Sequence, residues 1–230
     1  MFSKYAFTVL MAFVILCIAA VPAGAAIIQL YSPAEISSPT TIDFDGYAEG
    51  TVLNTLYQGQ GITFTRDDGA AIPIYDWSAL GRTTTSPDNV LATVWDGRIN
   101  TSYVTHLNVL SSSPLSAMGA FFGNDQNSGD FMTIRMSVFG LADEFLGSVV
   151  VSANNNTSVD QFIGIQSDTP FTRVRFDNLT LNGMQSSYYS VVLDDLMYSP
   201  ASVPEPATMS LLGLGLFGIM AAVRKFGKHS

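Results

Sequence analysis

The sequence predicts an all-β body, an antiparallel β-sandwich of jelly-roll type, carried between an N-terminal signal peptide and a C-terminal transmembrane helix. Three observations predict it. The middle of the chain alternates apolar and polar residues with a period of two, the pattern of half-buried strands. Clusters of Asp, Asn, Gly, Ser and Pro break that alternation at short intervals, as turns do. Unbroken apolar runs stand at the two ends. The 230 residues are 47% hydrophobic and only 13% charged, too apolar and too sparsely charged for a disordered chain.

The first segment is 1–25. Lys4 precedes an apolar run over 5–21, and 22–26 reads PAGAA. A positive start, an apolar middle and a small-x-small end are the parts of a secretory signal peptide, with Ala23 and Ala25 as the small residues and cleavage after Ala25. The alternative is an uncleaved anchor. Cys17, the only cysteine, lies inside the run after Leu16, which is not a lipoprotein context, so a disulfide framework and a cysteine-based zinc site are both excluded.

At the other end, 201–206 forms a linker ending in Val203, Pro204, Glu205 and Pro206. The uncharged stretch 207–223 follows, then the basic tail 224–230 with Arg224, Lys225 and Lys228. Seventeen residues at ~1.5 Å each span roughly 26 Å, enough for a thin hydrocarbon layer, and the cations place the tail in the cytoplasm. Gly213, Gly215 and Gly218 match G-x-G-x-x-G, but no acidic residue occurs in the twelve that remain, so a dinucleotide site is excluded. A Pro-Glu-Pro tripeptide, a short Gly/Leu-rich span and a terminal basic cluster over 203–230 resemble the PEP-CTERM sorting signal. The resemblance implies an exported protein of a Gram-negative bacterium. It would be held transiently in the inner membrane, processed by an exosortase-type protease, and associated with extracellular polysaccharide and biofilm at the cell surface. An ordinary anchor behind a proline-rich hinge is the alternative.

Between these signals lie a lead-in segment, 26–40, and the sandwich, 41–200. Alternation is clear at 41–45 (TIDFD), 61–65 (GITFT), 132–138 (MTIRMSV) and 172–177 (TRVRFD). In the last, Val174 and Phe176 face one side while Arg173, Arg175 and Asp177 face the other. Turn formers stand at 67–69, 86–89, 123–129 and 154–156. Residues 26–202 hold six arginines, no lysine and eighteen carboxylates, a formal balance of −12. Such a body repels phosphate polymers and anionic lipid, disfavours nucleic acid and favours divalent cations. The patterns at 41–46, 61–64, 161–165, 171–176 and 192–197 are similar, loosely, to β-sandwich domains of PEP-CTERM proteins and to jelly-roll carbohydrate-binding modules.

Candidate sites follow. By that resemblance, a structural Ca2+ joining the first and last strands would take Asp43 and Asp45 from one and Asp194 or Asp195 from the other. Asp43 and Asp45, two apart on one strand, would share a face. Asp194 and Asp195 would point to opposite faces unless a bulge intervenes. Calcium takes six to eight hard oxygen ligands, and a buried carboxylate needs a cation or hydrogen-bond donors, so either answer is open. The loop 125–130 partly echoes a calcium loop, but no Glu completes it. Trp77 and Trp95, each beside an Asp, and 188–189 could present rings to a sugar, or could fill the core as large rings usually do. His106, the only histidine of the body, has no G-x-S-x-G elbow to serve, and no carboxylate pair is marked as a general acid. The expectation is a non-enzymatic protein.

Overall fold

The computed structural model describes residues 24–93, 106–123, 133–154, 156–180, 183 and 190–202. The signal peptide through Ala23, the sorting signal, the helix 207–223, Trp95, the loop 125–130 and residues 188–189 lie outside them. Among the described residues no helix is long and apolar enough to cross a membrane.

Ten strands form: β1 (Ile27–Leu30), β2 (Thr40–Ile42), β3 (Ile62–Arg66), β4 (Ile74–Asp76), β5 (Asn89–Ala92), β6 (Leu107–Gly123), β7 (Thr133–Gly140), β8 (Phe145–Ser152), β9 (Val159–Leu179) and β10 (Val192–Pro200). Every pairing between them is antiparallel. Two strands are far longer than the rest, β6 with 17 residues and β9 with 21. Their mutual register breaks between Leu110 and Leu115, near Pro114 and Pro170. Proline donates no ladder hydrogen bond, so each strand turns there and passes into a second layer.

The first layer runs β4-β5-β10, then the later half of β6, the earlier half of β9, and β1, with β2 also on β10. The second runs β3, the earlier half of β6, the later half of β9, β7 and β8. The expected antiparallel sandwich is therefore present, but β6 and β9 serve both layers. One core lies between, with Phe44, Phe64, Phe122, Phe171 and Phe176 fully buried. Burying each such ring contributes about 1.5–3 kcal/mol.

Of the alternating segments, 62–65, 133–138 and 172–177 fall in β3, β7 and β9. The segment 41–45 does not continue as a strand. β2 stops at Ile42, and Phe44 takes a φ of +65°. This left-handed turn inserts the Phe44 ring into the core against Tyr57 and Phe64. Asp43 and Asp45 therefore sit in a turn rather than on one strand face.

The outer faces differ. The first layer is covered: the lead-in segment lays Leu30 and Ile36 over Ala117, while Trp77 packs on Val90, Ala92 and Val192. Phe162 lies across the cross-strand pair Gly119 and Gly164, where a Cβ would stand 2.4 Å and 2.7 Å from its ring. On the outer face of the second layer Asn108, Ser137 and Phe139 are buried, with the Arg173 and Arg175 guanidiniums over the Phe139 ring, while Phe145 and Val150 of β8 are exposed.

Candidate functional site

At the first layer's edge, β10 changes partner from β5 (at Val192 and Leu193) to β2 (at Leu196 to Tyr198). Its register against β6 shifts between Asp194 and Met197, which is a β-bulge, and Asp195 has a φ of +44°. The bulge separates two adjacent carboxylates into different environments. Asp194 is 0% exposed. Its Oδ2 accepts from the Thr85 backbone N–H (2.9 Å), the Thr85 hydroxyl (2.7 Å) and the Ser86 N–H (2.8 Å). Its Oδ1 accepts from the Ser86 hydroxyl (2.6 Å) and the Asp195 N–H (2.8 Å). Five donors satisfy this buried anion without a cation.

Asp195 has no comparable set. Burial first, then the charge of Asp194, then Asp43 and Asp45, push its carboxyl up to about 6, against an opposing hydrogen bond from Thr85. Asp43 Oδ1 accepts from the Asp45 N–H, and Asp45 Oδ1 accepts from the N–H groups of Asp88 (3.2 Å) and Asn89 (2.9 Å). Burial, Tyr47 and the same two aspartates raise the Tyr57 hydroxyl to about 12. Asp194 spends both oxygens on donors, and Asp43 and Asp45 each commit Oδ1 to backbone, while Asp45 Oδ2 is buried and meets no hydrogen-bond donor among the described residues. No three His, Cys, Asp or Glu among the described residues are grouped to hold a metal ion.

Trp77 is 3% exposed, and the Arg82 guanidinium lies 4.8 Å from its ring centre. The ring is a wall of the small core over the first layer, so it is no exposed sugar platform. The turn at 78–81 draws it inward: Asp76 Oδ1 accepts from the Ser78 hydroxyl and the Ala79 N–H, folding the chain back over β5.

The outer face of the second layer carries a network that single-residue motifs do not reveal. Across it, Asn108 pairs with Arg175, Arg175 with Ser137, and Ser137 with Ser148. The next row runs Leu110, Arg173, Phe139 and Phe145, and another runs Asp177, Arg135 and Val150. Asp177, with a fully buried side chain, takes Arg135 Nε at 3.0 Å and Nη2 at 2.8 Å, and is bound by His106 Nδ1. His106 Nε2 faces Asp67 at 3.6 Å. With both ring nitrogens directed at carboxylates, the ring is not set to take a proton from a serine hydroxyl, as a triad histidine must. Arg173 donates to Asp143 (2.6 Å) and Asn108 (3.2 Å), with its guanidinium 3.5 Å from the Phe139 ring centre. The sequence did carry one signal for this face, the alternation at 172–177. The partner register that gathers Arg135, Phe139 and Phe145 beside it is set by non-local pairing.

An all-β sandwich thus stands ahead of the C-terminal tail. Residues 202–225 match the PEP-CTERM protein-sorting motif. The chain carries that motif, and the motif marks an exported protein with a C-terminal sorting signal. No curated protein matches the chain at a significant level. Among solved structures, the K2 cleaved adhesin domain of Lys-gingipain is similar with a TM-score of 0.46 and 11% identity, over 70% of this chain and 99% of that one. An arabinose-bound α-L-arabinofuranosidase gives 0.45 and 10%, over 75% of this chain and 28% of that one. The N-terminal CBM22 tandem of Paenibacillus barcinonensis Xyn10C gives 0.41 and 11%, over 76% and 48%.

Proposed function

We propose that the chain is a non-enzymatic cargo protein of the cell surface or extracellular matrix. The tail at 203–230 would hold it briefly in the inner membrane until an exosortase-type protease removes the helix 207–223. The body would then reside in the extracellular polysaccharide. The observation that carries this reading is the sorting motif at 202–225 behind an all-strand body. The body's formal charge of −12 keeps such a cargo soluble and off anionic lipid once released. Mass spectrometry of the protein recovered from its host tests this. The expected mature species lacks both 1–25 and the basic tail; an intact chain in the cytosol defeats the reading.

A second reading is a carbohydrate-binding module. Trp77 does not support it, but Phe145 does: it is 62% exposed, edge-on to Phe139 at 5.7 Å, on the outer face of the second layer beside hydrogen-bonding side chains. An exposed ring flanked by polar groups is the arrangement that stacks on a sugar and fixes its hydroxyls. Retention on a polysaccharide matrix that Phe145→Ala abolishes would favour it; retention unaffected by that change would leave only the cargo reading.

A further inference from the structure

We infer that the end of the sandwich at which the chain enters β1 and leaves β10 is a membrane-docking surface, held against lipid headgroups for as long as the tail tethers the body. This deepens the cargo reading and rests on its assignment of 207–223 as an anchor.

Register brings the two chain ends together. Ser199 of β10 pairs with Ala117 of β6, Ala117 with Gln166 of β9, and Gln166 with Ile28 of β1. Ile28 and Ser199 thus stand in one row of the first layer, three strand spacings or about 14 Å apart. All three pairings are antiparallel, so β1 and β10 run in opposite directions, and the chain enters one and leaves the other at the same end. Both exits are tied down. The Asp168 N–H donates to the Ala26 carbonyl at 3.3 Å, and the Ala201 N–H to the Pro114 carbonyl at 2.9 Å. The Ser116 hydroxyl donates to the Pro200 carbonyl at 3.2 Å.

Chain length sets how far that end can stand from a membrane. Only 202–206 separate Ala201 from the apolar stretch, a spacer of at most about 18 Å when fully extended. The headgroup zone takes up roughly 6 Å of it, which leaves the end of the sheet within about 12 Å of the lipid surface. Before signal-peptide cleavage, 22–25 form an equally short spacer to Ala26 at the same end.

Charge selects the same end. The turns at 37–40 and 58–60 and the bend residues Ser112 and Ser113 are exposed and uncharged. They lie beside the exits. The Ser199 hydroxyl donates to the Ser37 carbonyl at 2.9 Å, the Tyr198 hydroxyl to the Gln60 carbonyl at 3.2 Å, and the Ser112 N–H to the Gly61 carbonyl at 2.8 Å. Leu141, 63% exposed, follows Gly140, which pairs with Phe171 at the same bend. The carboxylates nearby are Glu35, Asp143, Glu144 and Asp168, and Arg173 pairs with Asp143. Together these five account for only three of the body's twelve net negative charges. Asp67 follows the far end of β3, Asp177 is near the far end of β9, and Asp194 is near the start of β10. Anionic headgroups repel such carboxylates over a screening length of about 8 Å at physiological salt. A body tethered this closely therefore turns its least acidic end to the bilayer and its acidic parts away.

The signal-cleaved chain, 26–230, inserted through its tail into phosphatidylcholine–phosphatidylglycerol vesicles with spin-labelled headgroups, tests the inference. That chain holds no native cysteine. A fluorophore is placed by Ser112→Cys at the exit end, or by Ser152→Cys, about 23 Å along β8 from Phe145. The Ser112 label should be quenched severalfold more than the Ser152 label. Adding Gln58→Glu and Gln60→Glu should reduce quenching at Ser112 on these vesicles and leave it unchanged on phosphatidylcholine alone. Melting curves report folding, and Ser113→Cys takes the place of Ser112→Cys if that variant unfolds. Equal quenching at both positions would overturn the inference while sparing the anchor. The Glu pair without effect on anionic vesicles would overturn the docking role of this surface and leave only a tether. A chain that does not enter vesicles would remove the anchor reading, and the inference with it.

Discussion

At Asp194 five donors surround one carboxylate, three of them backbone N–H groups that cannot turn elsewhere. Replacing it by alanine strands those donors in a closed space, and each unsatisfied buried group costs about 1–3 kcal/mol. Asp194→Ala is therefore expected to lose about 3 kcal/mol or more and to lower Tm by roughly 10 °C, read by thermal unfolding at pH 7. Asp195, one residue on, behaves in the opposite sense. Its carboxyl is raised to about 6, so the folded protein takes up a proton more readily than the unfolded chain, whose aspartates titrate near 3.9. Its contribution is fully present below about pH 4, is lost as pH rises to about 6, and stays lost above. Asp195→Asn removes the titration and keeps a residue that tolerates the φ of +44°. After discounting for its partial exposure, that variant should gain about 1 kcal/mol at pH 7 and show a flatter Tm between pH 4 and pH 6. A variant no more stable than wild type at pH 7 would mean that the Asp195 carboxylate is stabilised in the fold, by donors such as Thr85 or by a cation.

Strands β6 and β9 carry the most structural weight among the elements, because each belongs to both layers and they pair with one another along most of their length. Glycines mark where they come closest to other groups. A Cβ on Gly123 would stand 2.1 Å from the Ser158 carbonyl oxygen and 2.7 Å from the Val159 Cα, both backbone. On Gly164 the nearest atoms would be side-chain ones, a Phe162 ring carbon at 2.7 Å and the Leu30 Cβ at 3.0 Å, rather than backbone. Gly123→Ala is thus expected to cost about 2–3 kcal/mol and Gly164→Ala less, with the order of the two Tm values as the check. Alternation made β3, β7 and the later half of β9 legible in the sequence, since a buried face and a wet face write themselves at every second residue. It misplaced 41–45, because the left-handed turn at Phe44 is imposed by a core pocket lined by Tyr57 and Phe64 from a distant part of the chain. The Asp194–Asp195 bulge was readable only as a condition, and Trp77 as one of two options, because both are settled by what packs over the first layer. The network on the outer face of the second layer was half visible, through 172–177, and its completion by Arg135 and Phe145 depended on register.

For the whole molecule, the boundary expected at the front end meets the fold at a specific place. β1 begins at Ile27 and pairs with β9, Ile27 opposite Ser167. Just before it, the Ala26 N–H donates to Asp168 Oδ1 at 2.8 Å, and the Asp168 N–H donates to the Ala26 carbonyl at 3.3 Å. Cleavage after Ala25 would turn that amide into the chain's terminal ammonium, and an ordinary hydrogen bond into an ion pair. The lead-in segment that Ala26 begins also lays Leu30 and Ile36 over the first layer, so fixing its first residue helps to hold that cover in place. The pair is solvent-exposed, which limits its worth to at most about 1 kcal/mol. Asp168→Asn is accordingly expected to lower the Tm of a chain that starts at Ala26 by a few degrees, and to lose that effect at high salt, where exposed pairs are screened. In a chain that retains residues 1–25 the same change should cost only the difference between a charged and a neutral acceptor for one amide N–H. If both forms respond alike, the Ala26 ammonium does not pair with Asp168.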